Sequence, residues 1–343
     1  MQADVTIGIP VYKAVDYIRK TVESSLAQTY PNIELLIVDD RGEDGTMAVI
    51  KDLQKTHPRG HAIRILQNTE NKGVGPSRNR LIDEAQGKYL YFLDSDDVIE
   101  PDTIQVLANA MVENHADVVY GSYEKVDNVN HNPTQVFQYS YQRFSEPDEF
   151  ATYAFMNYGH FQTIVCNCLM DVGFIRKSKL RFIDAMFWED MAFTYDMVTK
   201  VRRGVLLPNI TYHYLCRPHS LSNYQDREKL DKEEILKNAS TIDYLKWKSY
   251  KLRAKPYVDY FCHNLQMNSF YIVCHVLKYR RRIVPQISNK ELRHVMRHPM
   301  PLSEILHFRH KRLTNCALWV VAHLPIPLFM LVVKCVGKMK KVL

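Results

Sequence analysis

Tyr89-Leu90-Tyr91-Phe92-Leu93-Asp94-Ser95-Asp96-Asp97 decides how the rest of the chain is read. Five mostly apolar, aromatic-rich residues predict a buried strand. Three carboxylates then arrive together at its carboxyl end, where an open α/β sheet places ligands. Crowded carboxylates repel one another, so a site holding Asp94, Asp96 and Asp97 together calls for a divalent cation, and hard oxygen donors suit Mg²⁺ or Mn²⁺. The competing reading is a solvated acidic turn ahead of a helix near Pro101, since acidic residues are common in turns after strands.

Working outward, Val5 to Val11 is an apolar run that reads as a strand, and Asp16 reads as the N-cap of a helix carrying Ile18, Val22 and Leu26 at helical spacing. A second strand, Glu34 to Val38, ends in Asp39-Asp40. A helix with Met47, Ile50 and Leu53 on one face leads to a strand at Ala62 to Leu66. Pro76 opens the next helix, and Pro101 another running to His115 before a strand at Asp117 to Tyr120. Strands alternating with helices of about a dozen residues predict a mostly parallel sheet covered on both faces. Dinucleotide and ATP phosphate loops are missing from it. Pro10-Val11-Tyr12-Lys13-Ala14 follows the first strand, Gly73-Val74-Gly75 has Arg78 in the third-glycine position, and no Gly-Lys-Ser/Thr occurs.

The 343 residues suffice for one large or two ordinary domains with a real core. The formal charge of +7 hides an asymmetry: residues 1–150 carry 14 Lys and Arg against 24 Asp and Glu, and residues 151–343 carry 31 against 14. No nucleic-acid motif accompanies the basic half, whose cations are spread along helices, so an anionic membrane surface is the expected partner. Seven cysteines, an odd number, without an N-terminal apolar segment, predict a reducing, cytoplasmic setting. Cys166 and Cys168 are spaced too closely for a zinc knuckle.

Ile9-Pro10-Val11-Tyr12, Ile37-Val38-Asp39-Asp40 with Asp44-Gly45-Thr46, Asn71-Lys72-Gly73 with Arg78-Asn79, and Phe92-Leu93-Asp94-Ser95-Asp96-Asp97 together resemble a family-2 glycosyltransferase of the GT-A fold, inverting and of the bacterial polysaccharide type. The likeness is close over residues 4–125 and looser to about 225. It implies a metal-dependent transfer from a UDP-sugar to a saccharide hydroxyl. By this resemblance Pro10, Val11 and Tyr12 lie where a uracil ring is laid, and an aromatic face beside a rigid backbone suits stacking. Asp40, with Asp39 beside it, falls where a carboxylate accepts the base's imide N–H. Lys72 and Arg78 fall near the nucleotide phosphates, and Arg78 is equally placed to pair with a strand-end aspartate. Asp94 and Asp96 form the Asp-x-Asp pair, with Asp96 on the metal, Asp94 at the ribose or a metal-bound water, Ser95 between them on the nucleotide, and Asp97 shaping the turn.

Farther along, Phe187-Trp188-Glu189-Asp190 resembles the family's Glu-Asp motif, with Asp190 as general base and Glu189 supporting the acceptor side; a plain acidic helix start is the alternative. Tyr212-His213-Tyr214 and Arg217-Pro218-His219-Ser220 resemble the closing segment, where His213 or His219 is a candidate metal or diphosphate ligand and burial as a polar core residue is the other reading. The implied layout is a catalytic GT-A domain over 1–225, a helical extension over 226–312, and an apolar, basic tail over 313–343.

Residues 313–333 carry no formal charge. Their length permits a span, but His323, Pro325 and Pro327 interrupt it, so a broken helix lying in the cytoplasmic leaflet is expected, with a buried packing helix as the alternative. Such a tail suits a lipid-linked saccharide acceptor at the inner face of the cell membrane. A sugar nucleotidyltransferase or a non-catalytic nucleotide-sugar binder would share the sheet and its carboxylates; the first lacks its Gly-rich, Arg-Lys loop here, and against the second every polar position needed for transfer is filled.

Overall fold

The computed structural model describes residues 3–127, 132–157, 159–185, 188–217 and 227–343, which fall into two compact units. The first comprises Met1–Phe150, Gln162–Asp184 and Phe193–Pro218; the second comprises Ala151–Phe161, Ala185–Ala192 and His219–Leu343.

The first unit is an α/β sheet protein. Its elements run β1 (Val5–Val11), α1 (Ile18–Leu26), β2 (Ile33–Asp39), α2 (Thr46–Thr56), β3 (Ile63–Gln67), α3 (Val74–Glu84), β4 (Tyr89–Phe92), β5 (Val98–Ile99), α4 (Thr103–Asn114), β6 (Val118–Asp127), β7 (Pro133–Phe137) and β8 (Gln142–Phe144). Next along the chain come α5 (Glu149–Met156), which from Ala151 on belongs to the second unit, β9 (Cys168–Asp171), α6 (Val172–Lys177), α7 (Glu189–Val198), whose residues to Ala192 also belong to the second unit, and β10 (Gly204–Cys216). Every residue of β1, β2 and β4 is buried, as expected of parallel strands covered on both faces.

The main sheet is ordered β3-β2-β1-β4-β9-β6-β10-β5, with β7 beside β6 and β8 beside β10. The strands β3, β2, β1 and β4 are mutually parallel, and their register sets Val11 beside Asp39 and Gly8 beside Phe92. Their carboxyl ends therefore share one edge. Strand β9 enters antiparallel between β4 and β6, and β10 runs parallel to β6 but antiparallel to β5. One local expectation changes. Helix α1 has Tyr17 at its N-cap with no side-chain cap, so Asp16 does not fill that position. At its far end Arg59 caps instead, donating to the carbonyls of Leu26, Gln28, Tyr30 and Pro31.

The second unit is helical: β11 (Leu230–Asp231), α8 (Lys232–Ser249), α9 (Val258–Lys278), β12 (Ile283–Val284), α10 (Asn289–Val295), α11 (Leu302–Ile305), α12 (Arg312–His323) and α13 (Ile326–Met339). Asp231 caps α8 through the Glu233 N–H, and Ser288 with Glu291 forms a capping box on α10. The uncharged stretch breaks at Leu324-Pro325 into α12 and α13, where proline fixes the start of the second helix. Among the described residues no helix is long and apolar enough to cross a membrane.

Polar groups inside this unit are tied to backbone. Lys246 is buried and donates to the Val295 carbonyl, while burial pulls its pKa down to about 8. The His298 ring accepts the Met300 N–H at Nδ1 and donates from Nε2 to Asn315 Oδ1. Burial drives its pKa down to about 4, against those hydrogen bonds and with help from Lys246 and His263. A histidine depressed from 6.5 stabilises the fold fully above that pH and loses the contribution as pH falls toward 4, because the unfolded chain binds the proton first. We expect denaturant titrations to show about 3 kcal/mol lost across this window, and His298→Asn to flatten the dependence; an unchanged pH profile in the variant would assign the loss to other groups.

Candidate active site

Strand ends β1, β2, β3 and β4 deliver the site one loop at a time. Just beyond β1, Tyr12 is 45% exposed with the Lys13 ammonium 5.3 Å from its ring centre. Pro10 and Val11 lie inside β1, and the Val11 carbonyl accepts the Asp40 N–H at 2.8 Å. The loops after β1 and β2 are buckled together: Asp44 accepts from Thr46 and from the Val15 N–H, and Thr46 Oγ1 accepts from the Ala14 N–H. Burial works against the Asp44 carboxylate, yet these hydrogen bonds hold its pKa below the ordinary value. Gly42 is required here, since a Cβ would sit 2.5 Å from the Lys13 nitrogen.

Asp39 and Asp40 are both buried and differently engaged. Asp39 accepts the Arg41 N–H and the Gln67 side-chain amide. Asp40 accepts from Asn68 Nδ2 at 2.7 Å and from the backbone N–H groups of Lys72 and Gly73 at 2.9 and 2.8 Å. It thus clamps the turn that starts α3, where Gly73 has φ of 87°. Asn68, at the end of β3, also meets Ser77 and Arg80. Neither Gln67 nor Asn68 was singled out from sequence; the signal available was position, since each follows a parallel strand as Asp39 and Asp94 do.

Helix α3 carries Arg78, which is 2% exposed and donates from Nη2 to Asp94 Oδ1 at 2.8 Å, its guanidinium 5.4 Å from the Phe182 ring centre. Asn79 exchanges reciprocal hydrogen bonds with the Phe182 backbone and so holds that ring in place. Lys72 is exposed, its side chain at the rim of the same turn.

The turn after β4 separates its three carboxylates. Asp94 faces Arg78. Asp96 pairs with Arg217, whose guanidinium lies 5.1 Å from the Tyr17 ring centre. Asp97 is fully buried and accepts from the Tyr212 hydroxyl and, at 2.7 Å, from the Leu215 N–H, so β10 anchors the turn. The Ser95 carbonyl accepts from Thr21 on α1. Burial, then the charge of Asp94, pushes the Asp96 pKa up while Arg217 pulls it back; burial followed by Asp96 and Asp94 pushes Asp97 well up.

His213 lies on β10 with both ring nitrogens occupied, Nε2 against Glu100 at 2.7 Å and Nδ1 against Glu124 at 3.0 Å. His219 and the rest of the expected closing segment from Pro218 onward lie outside the described residues, as does Phe187. Glu189 and Asp190 belong to the second unit and start α7, Glu189 buried and Asp190 partly exposed, where the positive end of a helix favours carboxylates.

Among the described residues no group of three or more His, Cys, Asp or Glu side chains is arranged to hold a metal ion. An all-protein cage is therefore not what Asp94 and Asp96 form. Their hard oxygen donors are of the kind that holds such a cation through one or two carboxylates, with substrate phosphates completing its shell.

The family model "Glycosyl transferase family 2" matches residues 6–178. Among curated proteins the chain is 35% identical over 119 residues to "Glycosyltransferase GlyA" of Streptococcus pneumoniae, covering 35% of this chain and 16% of that protein. It is 38% identical over 109 residues to "Putative teichuronic acid biosynthesis glycosyltransferase TuaG" of Bacillus subtilis, covering 32% and 42%. It is 33% identical over 124 residues to "UDP-Glc:alpha-D-GlcNAc-diphosphoundecaprenol beta-1,3-glucosyltransferase WfgD" of Escherichia coli, covering 36% and 47%. The matched stretch spans less than half the length of each relative. Among solved structures, S. aureus TarS 1–349 in complex with UDP-GlcNAc superposes with a TM-score of 0.65 at 16% identity over 93% of this chain and 90% of that one. Mannosyltransferase PcManGT from Pyrobaculum calidifontis, in complex with GDP-Man and Mn²⁺, gives 0.55 at 13% over 94% and 86%. These likenesses establish the GT-A fold.

Asp40→Asn replaces an acceptor by a donor facing the Lys72 or Gly73 N–H. We expect a loss of about 2 kcal/mol in denaturant unfolding and faster amide exchange over residues 72–75; unchanged exchange there would remove Asp40 as the clamp.

Proposed function

We infer the activity from one premise: the chain belongs to glycosyl transferase family 2. It is a glycosyltransferase that takes a UDP-sugar and passes the sugar, with inversion, to a hydroxyl of a saccharide acceptor. The observation that carries this reading is the turn after β4, where Asp94 and Asp96 are set between Arg78 and Arg217 at the edge that also bears Tyr12 and Asp39.

In this reading Tyr12 stacks on the base, with Pro10 and Val11 fixing its backbone, and Asp39 and Asp40 supply the carboxylate that accepts the imide N–H. Asp40 is already engaged by three donors, which leaves Asp39 the freer acceptor. Ser95 and Asp94 hold the ribose side, and Lys72, Arg78 and Arg217 meet the diphosphate, Arg78 already desolvated for charge-assisted bonding. Asp96, with Asp94, would hold Mn²⁺ or Mg²⁺, which when bound neutralises charge on the departing diphosphate.

Asp190 is the proposed base. Its carboxylate takes the proton of the acceptor hydroxyl as that oxygen bonds to the anomeric carbon and the bond from that carbon to the UDP oxygen breaks, its electron pair leaving with UDP. Glu189 supports the acceptor side. A lipid-linked acceptor at the inner face of the cell membrane, in polysaccharide synthesis, is supported by the relative whose name specifies a diphosphoundecaprenol acceptor and by the basic second unit.

Asp190→Asn should cut transfer by at least about a thousandfold while leaving UDP affinity within about twofold; a variant that transfers at the parent rate would remove Asp190 from the mechanism. Asp96→Ala should abolish the dependence of UDP affinity on added Mn²⁺, measured by calorimetry, and an unchanged dependence would sink the metal assignment.

A further inference from the structure

Helices α12 and α13 are apolar on the wrong side for a soluble hairpin. Their inner face packs within the second unit through Asn315, Ala322, Phe329, Val333 and Gly337. The outer face, which elsewhere would be polar, repeats apolar residues at helical spacing: Leu313 and Val320 on α12, then Leu328, Leu331 and Met339 on α13. Leu313 and Met339 are 81% and 82% exposed. The break between the helices is tied down, since Arg293 on α10 donates to the Leu324 carbonyl at 3.1 Å.

Charge selects what covers this face. Residues 305–343 contain seven Lys and Arg and no Asp or Glu, with Arg309, Lys311 and Arg312 ahead of the hairpin and Lys334, Lys338, Lys340 and Lys341 along and after its second helix. A protein partner of ordinary composition would meet this excess of like charge at the rim. An anionic bilayer meets both halves, since headgroups attract the cations and the acyl boundary accepts the leucines.

We propose that α12 and α13 form a two-helix platform lying in the plane of an anionic lipid surface, with Leu313, Val320, Leu328, Leu331 and Met339 inserted and the flanking lysines and arginines on the headgroups. This deepens the reading of an acceptor at the membrane and rests on it for its biological purpose. The inner face stays packed within the second unit, so the hairpin inserts shallowly and does not turn to span.

The test is sedimentation of the full chain with vesicles of phosphatidylcholine alone and of phosphatidylcholine with phosphatidylglycerol. Binding is expected on the anionic vesicles only. Val320→Glu with Leu331→Glu should weaken it by more than about tenfold. Lys338→Gln, Lys340→Gln and Lys341→Gln together, which touch no buried position, should weaken it roughly fivefold for each charge removed and make it less sensitive to salt. Equal binding to both vesicle types, or binding untouched by either set, overturns the platform. So does a drop in oligomeric mass caused by the glutamates in a chain that never bound vesicles, which would make the face a contact between copies. UDP release is measured alongside: a chain that releases UDP from a UDP-sugar but ignores vesicles loses the platform and keeps the transferase reading, and the reverse result does the opposite.

Discussion

Three carboxylates within four residues, at the end of a strand with no exposed side chain, set the constraint on which the first unit depends. Left alone they would repel one another and pay for burial besides, so each must be given its own compensation. Asp94 has a buried arginine from α3, Asp96 an arginine from the end of β10, and Asp97 two hydrogen bonds from β10. These partners differ in kind. The hydrogen bonds to Asp97 fix the backbone of the turn, whereas the arginines beside Asp94 and Asp96 answer charge with charge.

The rest of the donor edge is held by the same economy of short polar ties. Asp40 spends its acceptors on the turn before α3, and Asp44 with Thr46 ties the loop after β1 to the loop after β2. The exposed face of Tyr12 is therefore presented by a frame whose members restrain one another. A frame held in place before binding lowers the ordering cost of whatever docks on it.

Much of this edge was legible in the sequence, because its logic is local. Val5 to Val11, Glu34 to Val38 and Tyr89 to Leu93 are mostly apolar runs of the kind that a sheet covered on both faces buries, and in a parallel sheet whatever follows such a run lands on one edge. Pro325 likewise announced the break in the tail. Partnerships across the chain were not legible. Arg217 meets Asp96 across 121 positions and Tyr212 meets Asp97 across 115, and no spacing rule connects them. The place of strand β9 between β4 and β6 likewise follows from pairing across the chain. The two glutamates around His213 show the same limit: alternation left it as either a ligand or a polar core residue, and only the neighbouring strands supply the carboxylates that hold both its nitrogens.

Strand β10 also fixes an order of events. The half of the sheet from β1 to β4 is built from consecutive strand-helix units that all precede residue 93, so its contacts can form while later residues are still being synthesised. In such a nascent chain only Asp94 would have its cation, because Arg78 comes from the early half. Asp96 and Asp97 wait for residues 212 to 217. The turn after β4 is thus the last part of the sheet to become electrostatically balanced, and an interrupted chain would keep the early strands without completing it.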